Sequence, residues 1–241
     1  MKLTSTLRIN TRKTECGAKL SLTPLAERAA PFALFAFALL ATLPLTAQRP
    51  AADNDPDRAV KGSGFPAGWS VRPDRGNAAQ INFTESGGVS HFVMGPAGTF
   101  YNAQWTKTGD YKYSARVAQT KAPSHPTSYG IMFGGSDMAG AGQTYSYFLV
   151  RGQGDYFIAN RDGADRPATV VDWTPNAAIA KQGADGKQAN ALGIQVLGDN
   201  VIFSVNGKEV TRLAKSKVHT NGLIGYRIGH NMDVDIDQVT K

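Results

Sequence analysis

A single cysteine, Cys16, among 241 residues excludes a disulfide-stapled scaffold. Glutamate is nearly as scarce. Glu15, Glu27, Glu85 and Glu209 are all there are, so chemistry that needs two neighbouring glutamates has few places to sit. The four histidines, His91, His125, His219 and His230, form no H-x-H and no H-E-x-x-H, the usual sequence signs of a zinc site. There is no G-x-S-x-G to announce a hydrolase nucleophile elbow. Beyond residue 47 no stretch carries a long apolar stripe of helical period, which excludes a helix bundle.

What is present begins with an export signal. Residues 1–30 are basic, residues 31–45 (PFALFAFALLATLPL) are apolar, and small residues follow at Thr46-Ala47. That order predicts a signal peptide over residues 1–47, cut near Ala47, and a secreted or periplasmic product. The apolar run is short for a membrane span, which needs about 20 residues, so no membrane association is expected after cleavage. Cys16 precedes the run and cannot be a lipid-bearing cysteine after the cut. Residues 48–64 are polar, with prolines and aspartates, and read as a flexible spacer. The whole chain carries +7, but the leader holds six bases against two acids, which leaves only +3 on residues 48–241. With those charges scattered, nucleic-acid binding is not expected.

The mature chain is organised around residues 192–213 (LGIQVLGDNVIFSVNGKEVTRL), which read as three antiparallel strands. Asn206-Gly207 predicts a type I′ turn that sets Val205 opposite Lys208 and Phe203 opposite Val210. A second two-residue turn at Asp199-Asn200 would set Val196 opposite Phe203 and Ile194 opposite Val205, keeping one face apolar; a one-step slip would turn every side chain over. Further β-like runs occur at residues 69–72, 80–83, 89–94, 111–119, 129–133, 145–151, 156–160, 169–173, 222–228 and 234–239, with Gly134-Gly135 closing the run at 129–133. Residues 175–186 form a less regular connection with one helical turn at 177–181. A dozen or so short strands separated by turn residues predict a single all-β sandwich or barrel.

Several blocks carry a resemblance. Gly68-Trp69 opens the region, and Tyr129-Gly130-Ile131-Met132-Phe133-Gly134-Gly135-Ser136-Asp137 runs from a buried strand into a loop. Tyr147-Phe148-Leu149-Val150 with Tyr156-Phe157-Ile158 makes a central hairpin. Val205-Asn206-Gly207-Lys208-Glu209-Val210 and then Gly222-Leu223-Ile224-Gly225 with Val234-Asp235-Ile236-Asp237 follow. In this order they resemble the concanavalin A-like lectin/glucanase superfamily, and within it secreted bacterial 3-keto-disaccharide hydrolase-like domains and their laminin-G-like relatives. The likeness covers residues 65–241 and implies a jelly-roll of two packed antiparallel sheets. It implies no chemistry by itself. Laminarinase-type glucanases of the superfamily carry E-x-D-x-x-E, because a retaining mechanism needs carboxyl groups about 5–5.5 Å apart. Glu85 lies in a Ser-Gly-Gly turn region and Glu209 on the outer side of a hairpin, so that machinery is absent and no residue is assigned a catalytic role.

The candidate binding residues are Tyr145, Tyr147, Arg151, Arg161, Asp162, Trp173 and His230. Aromatic rings pack on the apolar faces of sugars while Arg and Asp bond their hydroxyls. The run at 145–151 is apolar on both faces, so its strand is covered on both sides or has one side toward a cleft. Tyr129, Tyr156, Trp105 and Tyr226 are further aromatics able to line such a cleft or fill the core. Asp233, Asp235 and Asp237 alternate on one face of the last strand. They are metal candidates, calcium being the ion considered, although spacing alone does not build its six to eight oxygen ligands; no other cofactor is expected. The expectation is an exported module that binds carbohydrate or an envelope polysaccharide without catalysis. The alternatives are a 3-keto-disaccharide hydrolase and a structural or adhesion domain.

Overall fold

The computed structural model describes residues 55–241; the expected signal peptide and its cleavage point lie outside the described residues. Fourteen strands follow one another: β1 (Trp69–Pro73), β2 (Ile81–Ser86), β3 (Val89–Met94), β4 (Gly98–Lys107), β5 (Tyr111–Gln119), β6 (Ser128–Ser136) and β7 (Thr144–Arg151). Then come β8 (Asp155–Asp162), β9 (Ala168–Pro175), β10 (Gln188–Leu197), β11 (Asn200–Val205), β12 (Lys208–Ala214), β13 (Gly222–Ile228) and β14 (Asp233–Thr240). They build two antiparallel seven-stranded sheets, a front sheet ordered β1-β4-β13-β6-β7-β8-β9 and a back sheet ordered β12-β11-β10-β5-β14-β3-β2. This is the two-sheet sandwich that the alternating strands predict. The only helical pieces among the described residues are single 3-10 turns at Ala78–Gln80 and Lys215–Lys217.

Period-two alternation explains which side chains fill the space between the sheets. In β5, Tyr113, Ala115 and Val117 point inward while Lys112, Ser114 and Arg116 turn away. Tyr129, Ile131 and Phe133 of β6 and Phe148 and Val150 of β7 meet Leu192, Ile194, Val201 and Phe203 from the back sheet. At one end the core is aromatic. Phe92 stacks on Phe83 at 4.2 Å between centroids and meets Phe100 edge-on at 4.7 Å; Trp69 stacks on Tyr226 at 5.3 Å. The buried Tyr113 hydroxyl donates to the Gly225 carbonyl at 3.0 Å, so the ring crosses from one sheet to the other without stranding its polar end.

Four local expectations need correction. First, β4 had not been recognised, because Asn102, Gln104 and Thr106 interrupt its apolar pattern; Asn102 is nevertheless buried, with its Oδ1 accepting the Gln104 amide at 2.9 Å. Second, residues 177–181 form no helical turn. Asn176 closes a tight turn there instead, its carbonyl accepting from Ile179 and its side chain from Ala178.

The third concerns the central meander. Asn206 (φ 51) and Gly207 (φ 78) make the expected type I′ turn and pair Val205 with Lys208. The preceding turn is Gly198-Asp199, with Gly198 at φ 55, as a type II′ turn requires. Ile194 therefore faces Phe203 and Val196 faces Val201, a shift of two positions that leaves every side chain on its expected face. A bulge after Phe203 pairs that residue with Thr211 in place of Val210. Fourth, Gly134-Gly135 does not end its strand. Gly134, at φ 65 and packed so closely that a Cβ would lie 2.3 Å from the His219 carbonyl oxygen, forms a bulge, and β6 runs on to Ser136.

The described part of the expected spacer is also tied down. Arg58 donates through Nε to the Met94 carbonyl at 2.7 Å and through Nη2 to an Asp233 carboxylate oxygen at 3.0 Å. Its backbone amide donates to Asn231 Oδ1 at 2.7 Å.

Candidate functional site

The face of the front sheet that points away from the back sheet carries the richest constellation. β7 lies between β6 and β8, and its alternation sends Phe148 and Val150 into the core and Tyr145, Tyr147 and Leu149 to the outside. There they form a second apolar cluster with Met132, Met138 and Ala159, flanked by Tyr101, Phe157, Trp173 and Leu223. Ring centroids follow one another at 6.0 Å (Tyr145–Tyr147), 6.2 Å (Tyr147–Phe157) and 5.0 Å (Phe157–Trp173, stacked). Arg151 places its guanidinium 4.1 Å from the Trp173 ring centre and is held in turn by Asp155.

Cross-strand register supplies the polar end of this row. Arg72 of β1 pairs with Thr99 of β4, Thr99 with Arg227 of β13, and Arg227 with Gly130 of β6, so all four positions share the outer face. Because Gly130 has no side chain, nothing stands between Arg227 and β7 at that level, and the guanidinium reaches 5.8 Å from the Tyr147 ring centre. Arg227 also forms a bidentate pair with Asp74 and donates to Thr99 Oγ1 at 3.2 Å. Burial alone would lower its pKa, but the Asp74 carboxylate outweighs that and raises it above the ordinary value. Burial likewise pushes the Tyr147 phenol up to about 12, against the lowering effect of Arg227. Both groups keep one charge state across the physiological range.

Beside this pair a cavity of about 140 Å³ opens, lined by Arg72, Asp74, Gln143, Tyr145 and Arg161 among others. Its arginines are pre-positioned by loop carbonyls. Arg72 Nη1 donates to Met138 O at 3.0 Å and Gly140 O at 2.8 Å, and Arg161 donates to Gly163 O at 2.9 Å and Ala164 O at 3.3 Å. Asp137 (φ 46) shapes the loop between β6 and β7 by accepting from the Gly140 and Gly142 amides. Gln143 is 2 % exposed; its Nε2 donates to Gly163 O at 3.3 Å, while its Oε1 has no hydrogen-bond partner among the described residues. A buried acceptor left in that state costs about 1–3 kcal/mol.

Five of the seven candidate binding residues therefore share this face: Tyr145, Tyr147, Arg151, Arg161 and Trp173. Asp162, one residue beyond Arg161, turns the other way and meets His219 Nε2 at 2.8 Å. His230 lies off the row, in a cavity of about 180 Å³ with Asp74, Arg75 and Ala97. Of the other aromatics, Tyr129, Tyr156 and Tyr226 point into the main core, and Trp105 packs against Trp69 and Tyr226 at its margin. Arg72, Asp74, Gln143 and Arg227 had not been singled out. Strand alternation could have placed Arg72 and Arg227 on a face, but nothing local says which strands lie side by side.

The three aspartates of β14 do not converge. Asp233 is buried against Arg58 and Lys121, Asp235 bonds His91 Nδ1 at 2.6 Å, and Asp237 pairs with Arg116 at 3.1 Å. Burial would raise the Asp233 pKa, but the hydrogen bonds from Arg58 and Lys121 outweigh it and hold the carboxyl below its ordinary value. A lowered folded-state pKa contributes stability above the unfolded value of about 3.9 and loses it as pH falls through the folded one. The urea midpoint should accordingly fall below about pH 4. In Asp233→Asn it should start lower at neutral pH and change less on acidification. The two glutamates of the described residues sit on the opposite edge strands of the back sheet, Glu85 on β2 bonded to Trp69 and Ser90, and Glu209 on β12 bonded to Arg212. They cannot act as a pair.

No protein-family model matches the chain, and no curated protein matches it in sequence. Solved structures do match in fold. A carbohydrate binding module, CBM66 from Bacillus subtilis, superposes over 77% of this chain and 98% of its own with a TM-score of 0.53 at 10% identity. A Bacillus licheniformis beta-glucanase covers 77% and 97% at 9% identity, with a TM-score of 0.47. Identities this low speak for architecture alone. The chain folds as a two-sheet antiparallel jelly-roll sandwich, the architecture it shares with that carbohydrate binding module.

Proposed function

We propose that this is an exported, non-catalytic carbohydrate-binding module whose ligand lies on the outer face of the front sheet. One observation carries the reading: the cavity beside Tyr145 is lined by two anchored arginines, a carboxylate and the amide-bearing Gln143. A sugar ring offers the matching set, hydroxyl donors for Asp74 and hydroxyl acceptors for Arg72 and Arg161. The cavity volume of about 140 Å³ suits a single ring, so the end of a glycan chain enters it. The row Tyr147, Phe157, Trp173 leads away from that end and gives neighbouring rings an apolar floor. Export follows from the signal-like residues 1–47, and envelope polysaccharide is the accessible substrate class there. Calorimetric titration against a panel of neutral and acidic polysaccharides and their oligosaccharides tests the reading. Saturable binding that short oligosaccharides compete for is expected, and no binding to any member would dispose of it.

Hydrolysis of a 3-keto or ordinary glycoside is a second reading, favoured by the way His230 gathers Asp57 and His125 beside the cavity it shares with Asp74. Release of monosaccharide from such disaccharides, abolished in His230→Asn, is the result that would establish it.

A further inference from the structure

The cavity beside Tyr145 offers a ligand far more donors than acceptors. Asp74 is the one carboxylate in its lining, and both oxygens are already engaged by N–H groups of Arg227. The donors are less fully used. Arg72 spends Nη1 on the Met138 and Gly140 carbonyls, while its Nε and Nη2 make no hydrogen bond among the described residues. Arg161 spends Nε and Nη2 on the Gly163 and Ala164 carbonyls, and its Nη1 makes none among the described residues. The Tyr145 hydroxyl accepts from Thr99 Oγ1 at 3.3 Å, which leaves its own hydrogen to donate.

Charge is unbalanced in the same sense. Arg72, Arg161 and Arg227 stand against Asp74 alone, and the pair of Asp74 with Arg227 is closed. Among the described residues neither Arg72 nor Arg161 forms an ion pair with a carboxylate; both are held by carbonyls, which fix a guanidinium without cancelling its charge. Acids that adjoin the anchoring loops are turned to other partners or to solvent. Asp137 Oδ2 accepts the Gly142 amide at 3.1 Å, Asp162 meets His219, and Asp165 is exposed. Two partly buried cations that share one cavity and lack a counter-ion are stabilised by a bound anion.

We infer that the cavity takes an anionic sugar, a uronic acid residue at the end of a glycan, with its carboxylate toward Arg72 and Arg161 and its ring against Tyr145. The inference rests on the carbohydrate reading and narrows it to acidic glycans. A carboxylate only accepts hydrogen bonds, which matches a lining whose spare capacity is chiefly in donors, whereas a neutral hydroxyl both donates and accepts. The planar guanidinium fork also fits the two oxygens of a carboxylate. A uronic acid carries its carboxyl group directly on the ring, so the charge and the contact with Tyr145 fall within one cavity of about 140 Å³. A sulfate ester presents similar accepting oxygens on a longer and bulkier link, and the experiment separates the two.

The test titrates the purified protein calorimetrically with hexuronate trisaccharides of the gluco, galacto, manno and gulo series. Each is paired with its carboxyl-reduced neutral counterpart, and sulfated neutral trisaccharides form a third arm. In at least one series the acid should bind about 10–100-fold more tightly than its neutral counterpart, the range that charge-assisted hydrogen bonds supply. Arg72→Gln and Arg161→Gln should each lower that ratio about fivefold or more, because losing a guanidinium costs a carboxylate more than a hydroxyl. Arg212→Gln, on an edge strand of the other sheet, should leave the ratio unchanged. A general disturbance of the fold would weaken both probes alike, so the ratio reads the contact itself. Should Arg72→Gln fail to fold, Arg161→Gln and the wild-type ratio decide the matter. Neutral trisaccharides that bind as tightly as their acids in every series would overturn the inference and leave the carbohydrate reading standing. So would an acid preference that both arginine variants keep, or sulfated trisaccharides that bind more tightly than any uronate. No binding of any glycan, neutral or charged, would remove the carbohydrate reading and this inference with it.

Discussion

Replacing Phe92 with alanine is expected to lower the free energy of unfolding by about 3–5 kcal/mol. The ring has no exposure to solvent, and it touches Phe83 within its own sheet and Phe100 and Tyr226 across the interface. Deleting it forfeits the transfer energy of the ring and leaves a void whose aromatic walls cannot close from both sheets at once. Typical domains hold about 5–15 kcal/mol in total, so this one change removes a large share. Urea unfolding should show a lower midpoint with an unchanged slope. Phe92→Leu, which keeps part of the volume, should lose clearly less. A loss below about 1 kcal/mol for the alanine variant would mean that the two sheets do not meet at this ring.

For the outer face, Arg161→Ala and Trp173→Ala should each weaken binding of the best polysaccharide about 10–100-fold, or about 1.4–2.8 kcal/mol. Arg161 is tied to loop carbonyls at the cavity, and Trp173 ends the aromatic row. Neither side chain belongs to the main core, so the urea midpoint should hardly move in either variant and lost binding can be read as lost contact. Calorimetry with the same oligosaccharide separates the two positions. Loss with Arg161→Ala alone confines the ligand to the cavity, and loss with both extends it along the row. Full affinity in both variants would contradict the proposed face.

The architecture was legible because strands write their two faces into alternate residues. Residues 111–119 and 222–228 announced their extent, and β5 and β13 begin and end there. The strand β4 was missed because a buried Asn102 satisfied by its own neighbourhood looks, in sequence, like a loop residue. At 198–200 several turns preserve the same apolar face, and only the preference of Gly198 for positive φ selects among registers two residues apart.

The candidate site was legible in part. The double apolar pattern of residues 145–151 showed that a second hydrophobic surface exists, and Tyr145, Tyr147, Arg151 and Trp173 lie on it. Asp162 adjoins Arg161 in sequence yet points to the other side, because neighbours on a strand alternate. The spacing of Asp233, Asp235 and Asp237 suggested one cation site, whereas each finds a different basic partner on a neighbouring strand or segment.

Sequence by itself determined most of the strands, the all-β class and much of the division between core and surface, since these depend on local period, turn chemistry and apolar content. Only the tertiary structure decided that Arg72, Thr99 and Arg227 form one row beside Tyr147, and that Asp55, His125 and His230 meet. Those groupings join positions as far apart in sequence as Asp55 and His230. Strand order, which places them side by side, is settled by how two apolar faces close on each other, and no single segment records that.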